Sequence, residues 1–240
     1  MSSDAAGSLY LLPNTLGDTS AEAVIPAAAL HRARSLEYFI AENPKSARAF
    51  LKRIGYPRTL QEIRVERLDH NTRTSEIGAL LEPVLAGRDA GLLSEAGLPA
   101  VADPGAGLVR LAHEKGVRVV PLSGPSSILL ALSASGLEGQ RFAFHGYLPV
   151  TRTELAAAIK ELERQSRRLH QTQIFIETPY RNDATLEAML RALSDDTLVC
   201  VAADLTLGSE MVKTRSAAQW RGRAPQLKGH PAVFLILSVR

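Results

Sequence analysis

Short apolar runs and segments with helical periodicity alternate along this chain, and this alternation constrains its fold more than any other feature. In the first half, the periodicity predicts strands over 8–12, 36–41, 63–68, 90–94 and 117–120. Each of these runs is followed by a segment with helical spacing or by a loop rich in glycine and proline. Strands that alternate with helices of roughly 10 to 15 residues are typical of crossover units with a mostly parallel sheet. The first half is therefore expected to form an α/β domain.

A change of character after Gly136 predicts a second domain. The predicted helices before that point cover 21–34, 46–54, 75–85, 108–115 and 126–135. The following segment, LEGQRFAFHGYLPV, lacks helical periodicity and predicts a linker or domain edge. Beyond it, helices are expected over 151–169 and 182–193, and strands over 173–177, 197–203, 210–214 and 232–239. The predicted organisation is a disordered lead-in (1–8), an N-terminal α/β domain (9–125), a helix and linker (126–149) and a C-terminal α/β domain (150–240).

The composition is that of a soluble protein without disulfides. Of the 240 residues, 45% are hydrophobic and 22% are charged, with a net charge of +3. A single cysteine, Cys200, excludes an intramolecular disulfide and a cysteine-cluster metal site, and its apolar neighbours predict a buried strand thiol. The chain has no apolar run long enough to span a membrane and no signal-peptide pattern at its start, so we expect a cytoplasmic protein without membrane association.

Three loops rich in glycine and proline follow predicted strands. They are PNTLGD (13–18), SEAGLPAVADPGAG (94–107) and PLSGPSS (121–127). Glycine allows backbone to approach a ligand closely, and proline restrains the loop. Because the carboxyl ends of parallel strands share one edge of a sheet, the loops are expected to line one small-molecule cleft. The alternative is that each loop is an ordinary turn.

Several common enzyme motifs are missing. The chain contains neither the G-x-x-x-x-G-K-[ST] pattern of a P-loop nor the G-x-S-x-G pattern of a nucleophile elbow. The segment GAGLVR (105–110) has arginine where a dinucleotide fingerprint needs its third glycine, which disfavours NAD. The histidines show no zinc-type spacing, so no metal is expected.

The motifs that remain, taken in order, resemble those of the tetrapyrrole methylase superfamily. They are Pro13 with Gly17, Ala41-Glu42, Asp69-His70-Asn71, SEAGLP with DPG (94–105), Gly124-Pro125, GYLP (146–149) and ETPYR (177–181). Within the superfamily, the chain is most similar to the bacterial branch that methylates a cytidine ribose 2′-hydroxyl of small-subunit ribosomal RNA. The similarity extends from about Leu9 to Leu237.

The resemblance implies an S-adenosylmethionine-dependent methyltransferase of two α/β domains. In this fold, which is not Rossmann-type, the cofactor occupies the cleft between the domains, and the protein is usually a homodimer. Carried over by position, the cofactor contacts fall at Leu12, Pro13, Gly97, Asp103, Ala106, Ser126, Ser127, Ile176, Ala203 and Pro231.

The chemistry requires alignment of the acceptor with an activated methyl group, and a hydroxyl acceptor must also lose its proton. The candidate catalytic residues are Glu42, His70 and Arg181, with Asp69 as a further candidate base. Each has a structural alternative. His70 would be a loop histidine bonded to its neighbours, and Arg181 would pair with Glu177. Likewise, the Asp103 carboxylate would cap the helix predicted from 108.

The sequence leaves the identity of the methyl acceptor open. The branch typically has Arg-Glu-Leu-Thr-Lys where this chain has ADLTL (203–207), and the chain ends at Arg240 without the branch's C-terminal extension. Fewer cations provide fewer phosphate contacts for RNA, although Arg167 and Arg168 offer a basic helix face that is either solvated or RNA-binding. The alternatives are ribosomal RNA or the small ribosomal subunit, a tetrapyrrole, and a cofactor-binding regulatory module without catalysis.

Overall fold

Two five-stranded sheets organise the chain, one in each of two units that divide it between Ser126 and Ser127. The computed structural model describes residues 6–238. Of the lead-in predicted over 1–8, residues 1–5 lie outside the described residues, and Ser8 already belongs to the first strand. The Gly7 N–H donates a hydrogen bond to the Val84 carbonyl (2.8 Å), which connects this segment to the first unit.

The first unit is an α/β domain with a fully parallel sheet, as the alternation predicts. Its strand order is β3-β2-β4-β1-β5, and every neighbouring pair is parallel. The strands are β1 (Ser8–Leu12), β2 (Tyr38–Ala41), β3 (Arg64–Arg67), β4 (Ala90–Leu93) and β5 (Arg118–Pro121). The helices are α1 (Ala21–Val24), α2 (Ala27–Ser35), α3 (Pro44–Arg53), α4 (Thr74–Leu85) and α5 (Ala106–Glu114).

The helix predicted over 21–34 is two helices. The break lies at Ile25 and Pro26, between α1 and α2. Proline has no N–H to donate to the preceding turn, and its ring disfavours helical geometry in the residue before it. Ile25 is accordingly extended, with a ψ of 125°.

The second unit has a mixed sheet, with strand order β6-β7-β10-β8-β9. Only the β6–β7 pair is parallel among its described neighbours. The elements are α6 (Ser127–Ser135), β6 (Phe142–Tyr147), α7 (Arg152–Leu169), β7 (Thr172–Glu177), α8 (Asn182–Ala192), β8 (Leu198–Ala203), β9 (Met211–Ser216), α9 (Ala217–Trp220) and β10 (Ala232–Leu237). The connection from β8 to β9 is too short for a crossover, so these strands pair as an antiparallel hairpin.

The segment predicted as a linker within 126–149 contains the edge strand β6. Its pairing with β7 changes register between Phe144 and Tyr147, where Gly146 has a φ of +65°. A bulge interrupts the regular alternation of side chains along a strand. This explains why periodicity did not indicate the strand.

The core of the second unit surrounds β7, β8 and β10. Phe175 and Phe234 stack with ring centroids 5.6 Å apart, and the Trp220 Nε1–H donates to the Val199 carbonyl. Cys200 is buried on β8, as predicted, and this burial raises the pKa of its thiol. Across residues 6–238, no helix combines the length and apolarity needed to cross a membrane.

Gly124 packs directly against Pro13, which joins the loops that follow β5 and β1. A Cβ added at Gly124 would lie 2.1 Å from the Pro13 Cβ and 2.6 Å from its Cγ. Real Cβ atoms do not approach this closely, and proline is too rigid to move aside.

We therefore expect Gly124→Ala to lower the free energy of unfolding of the first unit by roughly 1–3 kcal/mol through overpacking. Urea denaturation followed by circular dichroism measures the change. Gly139→Ala is the matched control, because nothing lies within 4 Å of its added Cβ. Equal midpoints for the two variants would contradict this packing.

Candidate functional site

The three loops rich in glycine and proline lie at one edge of the first sheet. They follow β1, β4 and β5, which are neighbouring parallel strands in the order β4-β1-β5. Their carboxyl ends therefore point the same way, and the predicted common edge is confirmed. In open α/β sheets, ligands bind at this edge.

Asn14 connects two of these loops. Its backbone N–H donates to the Gly97 carbonyl (2.8 Å), and its side-chain amide donates to the carbonyls of Ser94 (3.1 Å) and Glu95 (2.9 Å). The residue is only 4% exposed, so these bonds are shielded from water. Together they hold the 94–107 loop against the loop after β1.

The 94–107 loop has an unusual backbone. Ala100 (φ 65°) and Ala102 (φ 64°) both adopt the left-handed region, and Gly105 has a φ of 135°. A left-handed residue other than glycine costs about 1–2 kcal/mol, and such residues cluster at ligand sites. The prolines and these conformations make the loop a defined surface instead of a mobile connection.

Three carboxylates at this loop act on one another: Asp103 and Glu95 belong to the loop, and Glu42 directly follows β2. Burial is the main cause that raises the pKa of Asp103 to about 6, and the negative charge of Glu42 adds to it. Burial also raises the pKa of Glu42, followed by repulsion from Glu95. A hydrogen bond with Ser94 partly offsets these effects by lowering the pKa of Asp103. The site therefore concentrates negative charge where solvent stabilises it poorly.

The Asp103 carboxylate does not cap the following helix, so this structural alternative is wrong. The helix α5 begins at Ala106 with Gly105 as its N-cap, so a residue without a side chain occupies the capping position. The exposed Ala106 thus presents an uncapped helix N-terminus next to the carboxylates.

His70 lies near this cluster but is loosely held. Its Nε2 is 3.9 Å from a carboxylate oxygen of Glu42, beyond hydrogen-bond distance, and its side chain is 76% exposed. Asp69 instead accepts a hydrogen bond from the Asn71 N–H (2.9 Å), so it shapes the turn after β3.

The other predicted residues around the first sheet differ in what they can offer a ligand. Leu12 is fully buried at the end of β1, so only its backbone is available. Pro13 packs against Gly124. Ser127 begins α6, directly after Ser126, as the sequence predicts for a helix start.

The predicted contacts of the second unit meet at one edge of its sheet. In the register of β10 with its two neighbours, Val233 lies opposite Ile176 and Ala232 lies opposite Ala203. Pro231 precedes β10 and accepts a hydrogen bond from the Asp204 N–H (3.0 Å). Ile176, Ala203 and Pro231 are thus brought together from three separate segments.

The same edge holds an aspartate–histidine pair that sequence reasoning missed. The Asp204 Oδ2 lies 2.7 Å from the His230 Nδ1 and accepts a second hydrogen bond from the Ser209 hydroxyl (2.8 Å). The Asp204 side chain is 7% exposed and that of His230 is 50% exposed. No spacing signal reveals this pair, because antiparallel pairing of β8 with β10 brings the two residues together.

Arg181 pairs with Glu177, which is the structural alternative that the sequence left open. Its Nη2 lies 3.1 Å from the Glu177 Oε2, and the Glu177 side chain is 3% exposed. The guanidinium also donates to the Val150 carbonyl (3.4 Å). A catalytic role for Arg181 stays a prediction.

A protein-family model described as tetrapyrrole (corrin/porphyrin) methylases matches residues 19–219. A similar relative is the ribosomal RNA small subunit methyltransferase I of Escherichia coli, 34% identical over 200 residues. That alignment covers 83% of this chain and 66% of the relative. The protein of the same name from Vibrio cholerae is 34% identical, with coverage of 72% and 59%. The chain thus spans less than two thirds of the length of these two relatives. A relative of the same name from Mesorhizobium japonicum is 32% identical, and that alignment covers 94% of this chain and 74% of the relative.

Solved structures show the same fold. The methyltransferase CobJ superposes with a TM-score of 0.64 at 18% identity, covering 98% of this chain and 95% of its own. The uroporphyrin-III-C-methyltransferase of Thermus thermophilus superposes with a TM-score of 0.53 at 19% identity, covering 97% and 92%. The predicted two-domain α/β fold of the tetrapyrrole methylase type is confirmed.

The raised pKa of Asp103 predicts that this residue destabilises the protein at neutral pH. Its folded pKa lies above its unfolded value of 3.8, so its stabilising contribution is present below about pH 4 and is lost as pH rises through about 6. Asp103→Asn should therefore raise the free energy of unfolding at pH 7, on the order of 1 kcal/mol after allowance for partial exposure, and change little at pH 4.

Urea denaturation at both pH values measures this effect. Asp196→Asn, at an exposed aspartate between α8 and β8, is the control and should leave stability unchanged at both. A stability gain for Asp103→Asn that does not depend on pH would reject the electrostatic explanation.

Proposed function

The chain belongs to the tetrapyrrole (corrin/porphyrin) methylases, and on this basis we propose that it is an S-adenosylmethionine-dependent methyltransferase with an RNA ribose hydroxyl as acceptor. The observation that carries the cofactor assignment is the carboxylate cluster of Asp103, Glu42 and Glu95 beside the 94–107 loop.

The chemistry of this cluster fits the cofactor. S-adenosylmethionine carries a sulfonium and an ammonium cation, as well as ribose hydroxyls that donate hydrogen bonds. The main charges acting on Asp103 are the carboxylates of Glu42 and Glu95, and these disfavour its ionised form. A bound cation would relieve this repulsion, so the cluster is complementary to a positively charged ligand.

The roles of individual residues follow from their positions. Asp103 and Glu42 would hold the cationic and hydroxyl groups of the cofactor. The backbone N–H groups at the start of α5, from Ala106, would donate hydrogen bonds to its carboxylate group. The stiff loop would fix the ligand's orientation, which is the main contribution an enzyme makes to an in-line displacement. When bound, the cofactor supplies a methyl group already activated by the positive sulfur. The contacts at Ile176, Ala203 and Pro231 belong to the same proposal.

The RNA acceptor rests on the names of the relatives and on a basic groove. A groove of about 430 Å³ lies between α7 and α8, and four cationic side chains line it. Two of them, Arg181 and Arg191, pair with Glu177 and Glu187. The other two, Arg152 and Lys160, are exposed and are the candidates for phosphate contacts.

An exposed aromatic residue is next in sequence to one of the residues that line this groove. Tyr180 directly precedes Arg181 and is 81% exposed. Proteins recognise unpaired RNA bases by stacking them on such rings. The combination of cations and an aromatic ring therefore supports a single-stranded RNA segment as the partner. The homodimer implied by the family resemblance is a further expectation, which analytical ultracentrifugation tests.

For the cofactor site, we expect the wild type to bind S-adenosylhomocysteine with micromolar affinity and Asp103→Asn to weaken binding at least tenfold, because a hydrogen-bonding carboxylate is lost. Isothermal titration calorimetry measures both. Asp196→Asn should bind like the wild type. Unchanged affinity in Asp103→Asn would reject this cofactor site.

For the acceptor, we expect the protein to transfer labelled methyl groups to unmethylated small-subunit ribosomal RNA or to the assembled small subunit. A uroporphyrin-III-type tetrapyrrole is the competing acceptor. Methylation of the tetrapyrrole alone would replace the RNA proposal. Cofactor binding without methylation of either acceptor would favour the regulatory module.

Charge reversal in the groove tests how RNA binds. Arg152→Glu with Lys160→Glu should weaken RNA binding at least tenfold and flatten the dependence of log Kd on log salt by about 0.7 per lost phosphate contact. Fluorescence anisotropy at several salt concentrations gives both values. Arg167→Glu with Arg168→Glu is the matched pair on α7 outside the groove. If only this second pair weakens binding, the RNA contacts the other face of the helix.

A further inference from the structure

We propose that a second cavity on α8, on the side of that helix that faces residues 221–226, binds an unpaired base of the RNA. We call it the base cavity. The inference rests on the proposed function, because a base of the RNA reaches this cavity only if the strand lies in the neighbouring basic groove. It adds a site for a base to the phosphate contacts proposed above. Every residue of the cavity and of the groove belongs to the second unit.

The base cavity has the size and lining of a site for a flat apolar ring. Its volume is about 530 Å³, within the range of roughly 300–1,000 Å³ that is usual for small-molecule pockets. The buried side chains of Leu186 and Leu190 line it from α8, and Ala224 and Pro225 line it from the 221–226 segment. Most of its surface is therefore apolar, and a nucleobase with its ribose fits the volume.

Arg221 contributes a guanidinium group that is held in a fixed orientation. Its Nε donates to the Leu190 carbonyl (2.8 Å) and its Nη2 donates to the Leu193 carbonyl (2.9 Å), both at the end of α8. Its Nη1 pairs with Asp195. The side chain is still 40% exposed and lines the cavity. RNA-binding proteins stack unpaired bases on guanidinium planes, and a plane that is already fixed loses little entropy on stacking.

The wall formed by residues 221–226 is positioned before a ligand binds. At its start, the Arg223 N–H donates to the carbonyl of the buried Trp220 (2.9 Å). Just beyond its end, the Leu227 N–H donates to the Asp183 Oδ1 (2.6 Å), and the Leu227 side chain is 1% exposed. Both ends of the wall are therefore attached to the folded unit, so the cavity does not have to be assembled around the base.

Asp183 also gives the cavity a polar group for a base. It lines the cavity from the first turn of α8, and only its Oδ1 takes part in a hydrogen bond among residues 6–238. The Oδ2 atom can therefore accept a hydrogen bond from an exocyclic amino group. Adenine, cytosine and guanine carry such a group, and uracil does not.

The base cavity and the basic groove are neighbours on α8. Glu187 and Arg191 line both, and the two side chains pair with each other. Residues four apart on a helix lie side by side, with Cβ atoms about 5–6 Å apart. One row of side chains thus separates the cavity from the groove in which Arg152 and Lys160 are exposed. A strand whose phosphates contact these cations can place a base on the other side of the row.

The charge of the chain around the cavity favours a nucleic acid as the source of the ring. Residues 221–230 include Arg221, Arg223 and Lys228 and contain neither aspartate nor glutamate. Arg223 and Lys228 are exposed. Cations around an apolar cavity complement a base that is attached to phosphates. An apolar side chain of a protein partner is the competing occupant, and it would leave these cations without a role.

Filling the cavity from its exposed wall tests the proposal. Ala224→Trp should weaken binding of a short single-stranded RNA about tenfold, because the contribution of one stacked base is lost. Fluorescence anisotropy with a labelled RNA that forms no base pairs measures the Kd. Ala134→Trp, at an exposed alanine on α6 that lines neither the cavity nor the groove, is the matched control and should bind like the wild type. Equal affinities for Ala224→Trp and wild type would overturn the proposal.

A ribose-phosphate oligomer without bases separates base binding from phosphate binding. The wild type should bind it more weakly than RNA of the same length, and Ala224→Trp should reduce this preference about tenfold. If Ala224→Trp weakens binding of both oligomers equally, the tryptophan obstructs the phosphates and the base cavity is rejected. If free cytidine monophosphate binds as tightly as the RNA and displaces it, the cavity takes a free nucleotide, and the assignment to RNA is wrong.

A second variant guards against an effect of misfolding. Gln226→Trp introduces the same ring at another exposed residue of the same wall. Both variants should keep the thermal midpoint of wild type and its affinity for S-adenosylhomocysteine, and both should weaken RNA binding. If each folds normally and binds RNA like the wild type, the proposal fails.

Failure of this inference can be told apart from failure of the proposed function. A wild type that binds and methylates RNA, with Ala224→Trp and Gln226→Trp equal to it in RNA affinity, rejects only the base cavity. A wild type that binds no RNA and methylates none rejects the RNA acceptor, and the base cavity with it.

Discussion

The hydrogen bonds of Asn14 are the interactions on which the candidate cofactor site depends. Parallel strands bring the ends of β1 and β4 to the same edge, but they leave the loops beyond those ends free to diverge. Asn14 closes this gap with a backbone bond to Gly97 and two side-chain bonds to the next strand's loop. Because it is buried, each bond lost there would leave an unsatisfied polar group. The loop that carries Asp103 is therefore held by the sheet edge itself.

The two units carry different arrangements of acidic residues at the edges of their sheets. At the edge of the first sheet, burial and the mutual repulsion of the carboxylates raise the pKa of Asp103 and of Glu42, and the ionised Asp103 lowers the stability of the folded protein at neutral pH. At the edge of the second sheet, the Asp204 carboxylate is paired with His230, which makes an imidazole nitrogen available. The first arrangement suits the binding of a cation. Such costs to stability are common at functional sites.

The sequence predicted the first sheet well and the second sheet less well, for physical reasons. The first unit follows the regular alternation of strand and helix, so local periodicity was enough to find its strands and the common edge of their loops. In the second unit, β6 is an edge strand with a bulge at Gly146, and the α1–α2 break in the first unit depends on one proline. The bulge depends on how β6 pairs with β7, and the helix break depends on the shape of the proline ring. Hydrophobic periodicity averaged over several residues detects neither.

By itself, the sequence determined the family, the small stiff loops after parallel strands, and Asp103 as the acidic residue of the longest of these loops. These properties are local, because glycine, proline and hydrophobic spacing act over a few residues. Only the tertiary structure decided which side chains meet. Asp204 and His230 are separated by β9 and α9 in the chain, and antiparallel pairing of β8 with β10 sets them in contact. Arg181 was likewise assigned to a pair with Glu177 by the turn between β7 and α8 and by burial, since a buried carboxylate requires a partner.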